Sequence, residues 1–318
     1  MEAAELVRTL LANPSVRDKM LIGRTYAPNG NVVTANGTPV QLGDDCAAIL
    51  DGHGGYTLFA AEGLVEAFVA DQPWFAGYSA VMVNISDICA MGGLPVALTN
   101  VIWSKDQADS AAMWEGMLAA CTTYNVPMVG GHTCYNSTSR HLAVSVIGQA
   151  QRLLTSFDAR PGDQLIMAID LNGAYFQQYP FWNASTHQAP ADLRRKMRLL
   201  HEIANEGLSG AAKDISMGGV VGTLHMLTST SGVGAILDVD AIPRPSDVAI
   251  EKWLTSFPSY GYLLTSQAPH TEQILEKFTQ HGIHASIVGE ITADESIHLR
   301  YQGQTVPFAL QNAFAPTC

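Results

Sequence analysis

The stretch most informative about the fold spans residues 78–93 and reads YSAVMVNISDICAMGG. Apolar side chains such as Ile85 and Ile88 recur at helical spacing, which predicts a helix across most of the stretch. Asn84 and Asp87 are three residues apart, so a helix presents both polar side chains on one stripe of its surface. The pattern therefore predicts that these two side chains point the same way.

Strands and helices alternate on both sides of this helix, which predicts a mixed chain of α+β or α/β type. Glycine and asparagine are frequent in residues 23–43, and this composition predicts a long loop. The turn residues 160–163 predict a boundary between two domains, residues 1–155 and 156–318. The other predicted elements are strands at 47–50, 56–61, 94–103, 126–130, 142–149, 164–169, 235–239, 262–265 and 285–291, and helices at 2–11, 109–124, 194–206, 218–229 and 269–281.

The composition excludes several classes of protein. The chain has 318 residues, of which 47% are hydrophobic and 14% charged, so it has enough apolar material for packed cores. A net charge of −12 repels nucleic acid and acidic lipid, and neither is an expected partner. Apolar stretches such as 142–148 are far shorter than the roughly 20 residues of a membrane helix, and the N-terminus lacks the pattern of a signal peptide. We therefore expect a cytoplasmic protein without membrane contact.

Acidic residues beside glycines or at the ends of predicted strands are the candidate site residues. A single aspartate beside glycine is more often a turn or a helix cap than a ligand. The adjacent pair Asp44 and Asp45 is harder to explain in that way, because like charges side by side are unfavourable unless a cation neutralises them. Magnesium prefers carboxylate and phosphate oxygens, and glycine lets a phosphate approach the backbone. The pattern predicts a metal–nucleotide site built from Asp44, Asp45, Glu62, Asp87 and Asp214.

Four motifs follow one another along the chain: GDDCAA at 43–48, VNISDICAMGG at 83–93, GGHT at 130–133 and KDIS at 213–216. In this order they resemble the aminoimidazole ribonucleotide synthetase (PurM-like) superfamily, which includes thiamine-monophosphate kinase, selenophosphate synthetase and formylglycinamidine ribonucleotide synthetase. Within it, the chain is most similar to the stand-alone synthetase-related branch.

This resemblance implies a PurM-like two-domain fold and a homodimer. The N-terminal domain, residues 1–155, would bind ATP and pair its sheet with that of a second copy in a dimeric β-barrel. The C-terminal domain, residues 156–318, would be of α/β type. The implied cofactors are ATP and Mg²⁺.

The resemblance also implies a role for each matching residue. Asp45 would coordinate magnesium with help from Asp44, and Asp87 would bridge metals at the triphosphate and act in catalysis. The remaining implied roles are metal binding by Asp214 and Glu62, and nucleotide binding by Asn84, Gly130, Gly131, His132 and Ser216.

Three departures from the kinase pattern affect these roles. Ala60-Ala61-Glu62 replaces two hydroxyl residues and an aspartate, which alters the metal site. His132 replaces another aspartate, and because magnesium prefers oxygen, the imidazole suits a phosphate contact or general-base catalysis instead. Met217 replaces a further acidic residue, so we expect fewer metal sites than in the kinase.

The resulting functional prediction is an ATP- and Mg²⁺-dependent enzyme that transfers a phosphoryl group to an unidentified small molecule, or activates it for cyclisation or dehydration. The alternative is a catalytically altered ATP-binding protein, either a sensor or a subunit of a larger synthetase. The aromatic insert 175–182 either lines the pocket for the acceptor or covers the sheet.

Overall fold

The computed structural model describes residues 1–22, 32–35 and 37–309, and these divide into two compact units. The five-strand unit consists of residues 32–35, 37–154 and 185–207. The seven-strand unit consists of residues 1–22, 155–184 and 208–309. Each unit is therefore assembled from separate segments of the chain.

The main sheet of the five-strand unit has the strand order β3-β4-β7-β5-β6, with β3 and β6 at its edges. Only β5 and β6 run parallel to each other within this sheet, because the helix at Gln107–Tyr124 connects them. Its strands are β3 (Ala47–Leu50), β4 (Tyr56–Gly63), β5 (Leu94–Trp103), β6 (Met128–Cys134) and β7 (His141–Ala150).

Two long helices, α4 (Pro73–Ala90) and α5 (Gln107–Tyr124), pack against each other, and α4 also packs on β4, β5 and β7. Ile88 of α4 lies so close to β7 that a β-carbon at Gly148 would come 2.6 Å from its side chain. The face of the sheet opposite α4 exposes apolar side chains, including Phe59 and Ile147. The helices of this unit are α3 (Glu66–Asp71), α4 (Pro73–Ala90), α5 (Gln107–Tyr124), α6 (Pro190–Lys196) and α7 (Leu199–Glu206).

A small hairpin precedes the main sheet. The strands β1 (Val32–Ala35) and β2 (Thr38–Gln41) pair antiparallel. The prediction of one long loop over residues 23–43 was therefore wrong for this part. The strands VVTA and TPVQ are too short for an alternation of apolar and polar residues to be recognised among the surrounding glycines. The rest of that loop, residues 23–31 and 36, lies outside the described residues.

The seven-strand unit is built on a sheet of order β11-β14-β8-β15-β12-β16-β17, and its apolar core includes Leu165, Leu224 and Leu263. Its strands are β8 (Gln164–Ile169), β11 (Ala211–Asp214), β12 (Gly234–Asp238), β14 (Gly261–Ser266), β15 (His284–Thr292), β16 (Ile297–Tyr301) and β17 (Gln304–Pro307). Its helices are α1 (Ala3–Ala12), α2 (Pro14–Ile22), α8 (Gly219–Ser231), α9 (Ile250–Trp253) and α10 (Ala268–Gln280), with a short 3-10 helix at Val239–Ala241.

A second, three-stranded sheet in this unit contains the aromatic insert. Its strands are β9 (Ala174–Tyr175), β10 (Phe181–Asn183) and β13 (Phe257–Pro258). Trp182 is buried edge-on against Trp253, with ring centroids 5.2 Å apart. At least this part of the insert covers the core, as one of the two interpretations predicts.

The mixed two-domain character of the chain is confirmed. Each main sheet is open in the described part of the chain, with two edge strands, so the structure does not show a closed barrel. The division at residues 155 and 156 stays a prediction. Among the described helices, none is both long and apolar enough to cross a membrane.

Candidate functional site

Asp45 and Asp87 come together in the five-strand unit. Asp87 lies near the C-terminal end of α4 with 6% of its surface exposed, and one of its carboxylate oxygens lies within 4.8 Å of one from Asp45. The loop that carries Asp45 is tied to the end of α4, because the Cys46 amide donates a hydrogen bond to Met91 Sδ at 3.1 Å. The Asp44 carboxylate accepts a hydrogen bond from the Asp45 amide at 2.9 Å and so shapes the same loop.

The Asp45–Asp87 pair fits a divalent cation. Both donors are carboxylate oxygens, which are the ligands that Mg²⁺ prefers, and two like charges this close are unfavourable without a counter-ion. The negative charge of Asp87 also acts on its neighbours. Burial, together with this charge, raises the pKa of the Cys89 thiol, so that Cys89 stays protonated.

Asn84 lies one turn before Ile88 on the face of α4 that packs on the sheet. Its side chain is fully buried, and Nδ2 donates a hydrogen bond to the carbonyl oxygen of Ala80 at 2.7 Å. Its Oδ1 has no hydrogen-bond partner among the residues that the structure describes. The predicted shared stripe of Asn84 and Asp87 is confirmed, since both lie on α4 and both are buried.

Asn100, in the middle of β5, is a polar residue that the sequence motifs do not single out. It is 2% exposed and stands between Leu98 and Ile102 on the helix-covered side of the sheet. Within the described ranges, neither Oδ1 nor Nδ2 has a hydrogen-bond partner. Leaving a buried polar group unsatisfied costs about 1–3 kcal/mol, so such a residue calls for an explanation. The signal in the sequence is an asparagine at a buried position of an otherwise apolar strand.

Gly131 and Glu62 share one row of the sheet with Asn100. Across the strands, Glu62 pairs with Val144, Val144 with Asn100, and Asn100 with Gly131. Residues paired in this way point to the same face, which here is the face that carries α4. Glu62, at the end of β4, is exposed, and the row therefore joins an exposed carboxylate to a buried carboxamide.

His132 and Gly130 lie on the opposite face, because side chains alternate along β6. The imidazole Nε2 of His132 is 3.2 Å from Cys134 Sγ, two residues along the same strand. A β-carbon at Gly130 would meet nothing closer than Thr99 Cγ2 at 3.9 Å. Within the five-strand unit the sheet thus separates His132 from the side that carries Asp87.

Asp214 and Ser216 lie in the seven-strand unit, where β11 leads into α8. Asp214 is the last residue of this edge strand and is 5% exposed. The Thr223 hydroxyl donates a hydrogen bond to the Asp214 carbonyl oxygen at 3.0 Å, and the Ser216 amide donates one to that hydroxyl at 3.4 Å. Gly218 takes a positive φ of 89° at the start of α8, which lets the chain turn directly from strand to helix.

Comparison with family models identifies both parts of the chain. Residues 43–150 match the N-terminal domain of AIR synthase related proteins, and residues 160–302 match the C-terminal domain. The chain is 41% identical over 274 residues to an uncharacterised protein of Synechocystis, covering 86% of this chain and 85% of that one. It is 26% identical over 290 residues to thiamine-monophosphate kinase of Salmonella typhimurium, covering 84% of this chain and 89% of the kinase.

Solved structures with the same fold include two complexes with nucleotides. AaThiL complexed with AMPPCP and TMP superposes with a TM-score of 0.67 at 20% identity, over 90% of this chain and 93% of that one. PurL of T. maritima complexed with ATP gives a TM-score of 0.72 at 20% identity, over 96% of this chain, and this chain spans about half (51%) of PurL. The chain belongs to the AIR synthase related family, within the PurM-like superfamily.

Proposed function

We propose that this protein is an ATP- and Mg²⁺-dependent enzyme that phosphorylates a small molecule, or activates it by phosphorylation. The observation that carries the proposal is the pair of carboxylates from Asp45 and Asp87, within 4.8 Å of each other in a family whose relatives include a kinase and ATP-complexed structures. Phosphoryl transfer needs little covalent chemistry from the protein, because positioning and charge stabilisation supply most of the catalysis.

In this proposal Asp45 and Asp87 hold Mg²⁺ on the triphosphate, and Asp44 orders the loop that carries Asp45. When bound, the cation neutralises the charge that develops on the phosphoryl oxygens. Asp214 and Glu62 are proposed as additional metal ligands. Asp214 is supported by its burial at the end of a strand, where a carboxylate has a fixed position.

The proposed phosphate contacts come from backbone amides and neutral side chains. Gly130 and Gly131 bring the backbone of β6 close to the phosphates, and Asn84 and Ser216 add polar contacts. His132 is proposed to donate a hydrogen bond to a phosphate or to serve as the general base. Because β6 is an edge strand, a ligand at that edge is able to reach residues on both faces.

The test is a binding titration with AMPPCP and Mg²⁺ on the full chain. Asp45→Asn and Asp87→Asn should each weaken binding by about tenfold or more, because each removes a charged metal ligand. Asp71→Asn, which removes an exposed carboxylate from the end of α3, is the matched control and should leave affinity unchanged. Unchanged affinity in both site variants would falsify the assignment.

A second candidate is an ATP-binding protein without turnover, and the replacements Ala60-Ala61-Glu62 and Met217 favour it. Incubation with ATP, Mg²⁺ and pooled metabolites, followed by measurement of ADP, separates the two. ADP formation that depends on Asp87 supports the enzyme, whereas tight ATP binding without turnover supports a sensor. Co-purification of a glutaminase-like protein would instead support a subunit of a larger synthetase.

The proposed homodimer uses the open face of the five-stranded sheet. Phe59 and Ile147 pair across β4 and β7 on this face, and 48% and 42% of their surfaces are exposed. Large apolar side chains grouped on one exposed face mark an interaction surface. A second copy of the same face would cover them, as the resemblance to the superfamily implies.

A further inference from the structure

Met91 connects the two proposed metal ligands of the five-strand unit. It directly follows α4, and its amide donates a hydrogen bond to the carbonyl oxygen of Asp87 at 3.3 Å. Its sulfur accepts the hydrogen bond that the Cys46 amide donates at 3.1 Å. Cys46 is the residue after Asp45 in the chain. Met91 therefore contacts the backbone of one proposed ligand and the residue that follows the other.

The backbone around Met91 is itself held in place. The Leu154 amide donates a hydrogen bond to the Met91 carbonyl oxygen at 3.2 Å, and His201 Nδ1 donates one to the carbonyl oxygen of Gly92 at 2.9 Å. Both donors belong to the same five-strand unit. The Met91 side chain is packed in the core, with 1% of the residue exposed. A fixed backbone and a packed side chain together restrict the position of the sulfur.

Packing alone does not require a methionine at this position. Leucine fills nearly the same volume, and the exchange of one for the other in a core usually costs little. Leucine, however, offers no acceptor to the Cys46 amide. Cys46 is 4% exposed, and buried backbone N–H groups are almost always hydrogen-bonded in folded proteins. The thioether sulfur, a weak acceptor, is what distinguishes methionine from leucine here.

The hydrogen bond matters for a metal because the two carboxylates are held in different ways. Asp87 lies within α4, where the hydrogen bonds of the helix fix its backbone. Asp45 lies in the loop before β3, so its position depends on contacts such as the one from Cys46 to Met91. Mg²⁺ demands near-ideal octahedral geometry and tolerates displaced ligands poorly. The affinity for Mg²⁺ should therefore depend on how firmly residues 44–46 are held.

We infer that Met91 is a positioning residue, whose sulfur sets the affinity for Mg²⁺ by holding Asp45 at its distance from Asp87. This inference rests on the proposed function and adds a residue that acts through the loop rather than as a ligand. It assigns the effect to the acceptor character of the sulfur and not to the volume of the side chain.

The first test is a titration of the full chain with AMPPCP in excess Mg²⁺. Met91→Leu keeps the apolar volume but removes the acceptor, and should weaken binding by about fivefold or more. Met91→Gln places an acceptor oxygen on an unbranched side chain, and should keep more of the affinity than Met91→Leu does. A role in packing alone predicts the reverse order, because glutamine buries a polar amide. Met113→Leu makes the same change at a fully buried position of α5 and should leave the affinity unchanged.

Amide hydrogen exchange of the metal-free chain, followed by NMR, gives a readout that needs no nucleotide. The Cys46 amide should be protected in the wild type and should exchange about tenfold faster or more in Met91→Leu. The Ile88 amide, inside α4, should exchange at the same rate in both proteins. Faster exchange at both positions would indicate a general loss of stability and would contradict the local role of Met91.

Two results of the titration would overturn the inference: wild-type affinity in Met91→Leu, or tighter binding by Met91→Leu than by Met91→Gln. If Met91→Leu does not fold, the other proteins still decide. An unprotected Cys46 amide in the wild type, or a loss of more than about fivefold in the affinity of Met91→Gln, then overturns the inference.

The variants Asp45→Asn and Asp87→Asn separate this inference from the proposed function. If both weaken AMPPCP binding while Met91→Leu does not, the inference alone is contradicted. If both bind AMPPCP like the wild type, or if the wild type does not bind it, the proposed function is contradicted and the inference with it.

Discussion

Gly131 lies directly opposite Asn100 in the parallel pairing of β5 with β6, and a β-carbon at residue 131 would come 2.6 Å from the Asn100 carbonyl oxygen. The resemblance to the superfamily implies that residue 131 is a glycine because a phosphate approaches the backbone there. The structure adds a steric reason, since the space beside Gly131 is already filled by Asn100. The two residues therefore depend on each other.

The neighbouring glycines of β6 should differ sharply in their tolerance of alanine. Gly131→Ala forces a methyl group against the backbone and side chain of Asn100, and overpacking of this kind costs about 1–3 kcal/mol. Gly130→Ala, whose new methyl group meets nothing closer than 3.9 Å, should change the free energy of unfolding by less than about 0.5 kcal/mol. Urea unfolding of both variants measures the difference, and equal stabilities would contradict the steric argument.

Replacement of Phe59 by aspartate should dissociate the proposed homodimer. The change places a charge on the open face of the five-stranded sheet, where it would be buried between two copies. Light scattering coupled to gel filtration should show the wild type as a dimer and Phe59→Asp as a monomer. Leu118→Asp alters a residue on α5 that is 52% exposed and should remain dimeric. A monomeric wild type, or a dimeric Phe59→Asp, would rule out this interface.

Hydrogen bonds of Ser185 should stabilise the packing of the segment Ser185–Gly207 against α4 and α5. Ser185 is buried, and its hydroxyl is 2.7 Å from the Tyr78 hydroxyl and 2.8 Å from the Tyr124 hydroxyl. Burial raises the pKa of both tyrosines, so these hydroxyl groups stay neutral. Ser185→Ala should lower the free energy of unfolding by about 1–3 kcal/mol, because it removes a shared partner from two buried groups.

A double-mutant cycle of Ser185→Ala with Tyr78→Phe checks that the decrease in stability comes from the hydrogen bonds between these hydroxyl groups. The decrease in the free energy of unfolding in the double variant should be smaller than the sum of the decreases in the two single variants, since both changes disrupt the same hydrogen bonds. Strict additivity would show that the hydroxyl groups act independently.

Stability of the seven-strand unit should fall below neutral pH because of His225. Burial lowers the pKa of this imidazole, although a hydrogen bond with the Met20 backbone partly opposes the shift. The unfolded chain binds a proton as the pH drops through about 6.5, whereas the folded chain binds it only at lower pH. Stability is therefore complete above pH 6.5 and decreases below it, by up to about 1.4 kcal/mol per pH unit.

The measurement is the free energy of unfolding at pH 7.5 and 5.5 for the wild type and His225→Gln. The variant should lose less stability between these values than the wild type does. His53→Gln removes an exposed imidazole from a loop and serves as the control. An identical loss in wild type and His225→Gln would contradict the role of His225.

The sequence predicted the regular elements of the fold well. The strands at 94–103 and 164–169 were predicted with the ends that the structure shows, because mainly apolar residues are bounded there by turn residues. The hairpin of β3 and β4 and the helices α5 and α10 were predicted to within two residues at their ends, whereas α4 begins five residues before its predicted start. The basic helix predicted at 194–206 is instead two helices, α6 and α7, with a break near Arg198.

The sequence predicted the arrangement of candidate site residues only where polar residues recur at the spacing of a single helix or strand. The shared stripe of Asn84 and Asp87 follows from helical spacing alone. Asn100 could not be weighed in the same way, since its significance depends on Gly131, which is distant in the sequence and adjacent in the sheet. The separation of His132 from Gly131 also requires the strand to be known, because alternation assigns successive residues to opposite faces.

The interleaved segments of the two units constrain the order of events during synthesis. Helices α1 and α2 leave the ribosome before the other described elements but belong to a unit whose main sheet begins only at residue 164. The five-strand unit, in turn, lacks α6 and α7 until residue 207 has emerged. Neither unit can complete its packing before residue 207 has emerged, so α1 and α2 remain without the sheet they belong to during much of synthesis, when exposed apolar surface favours binding by chaperones.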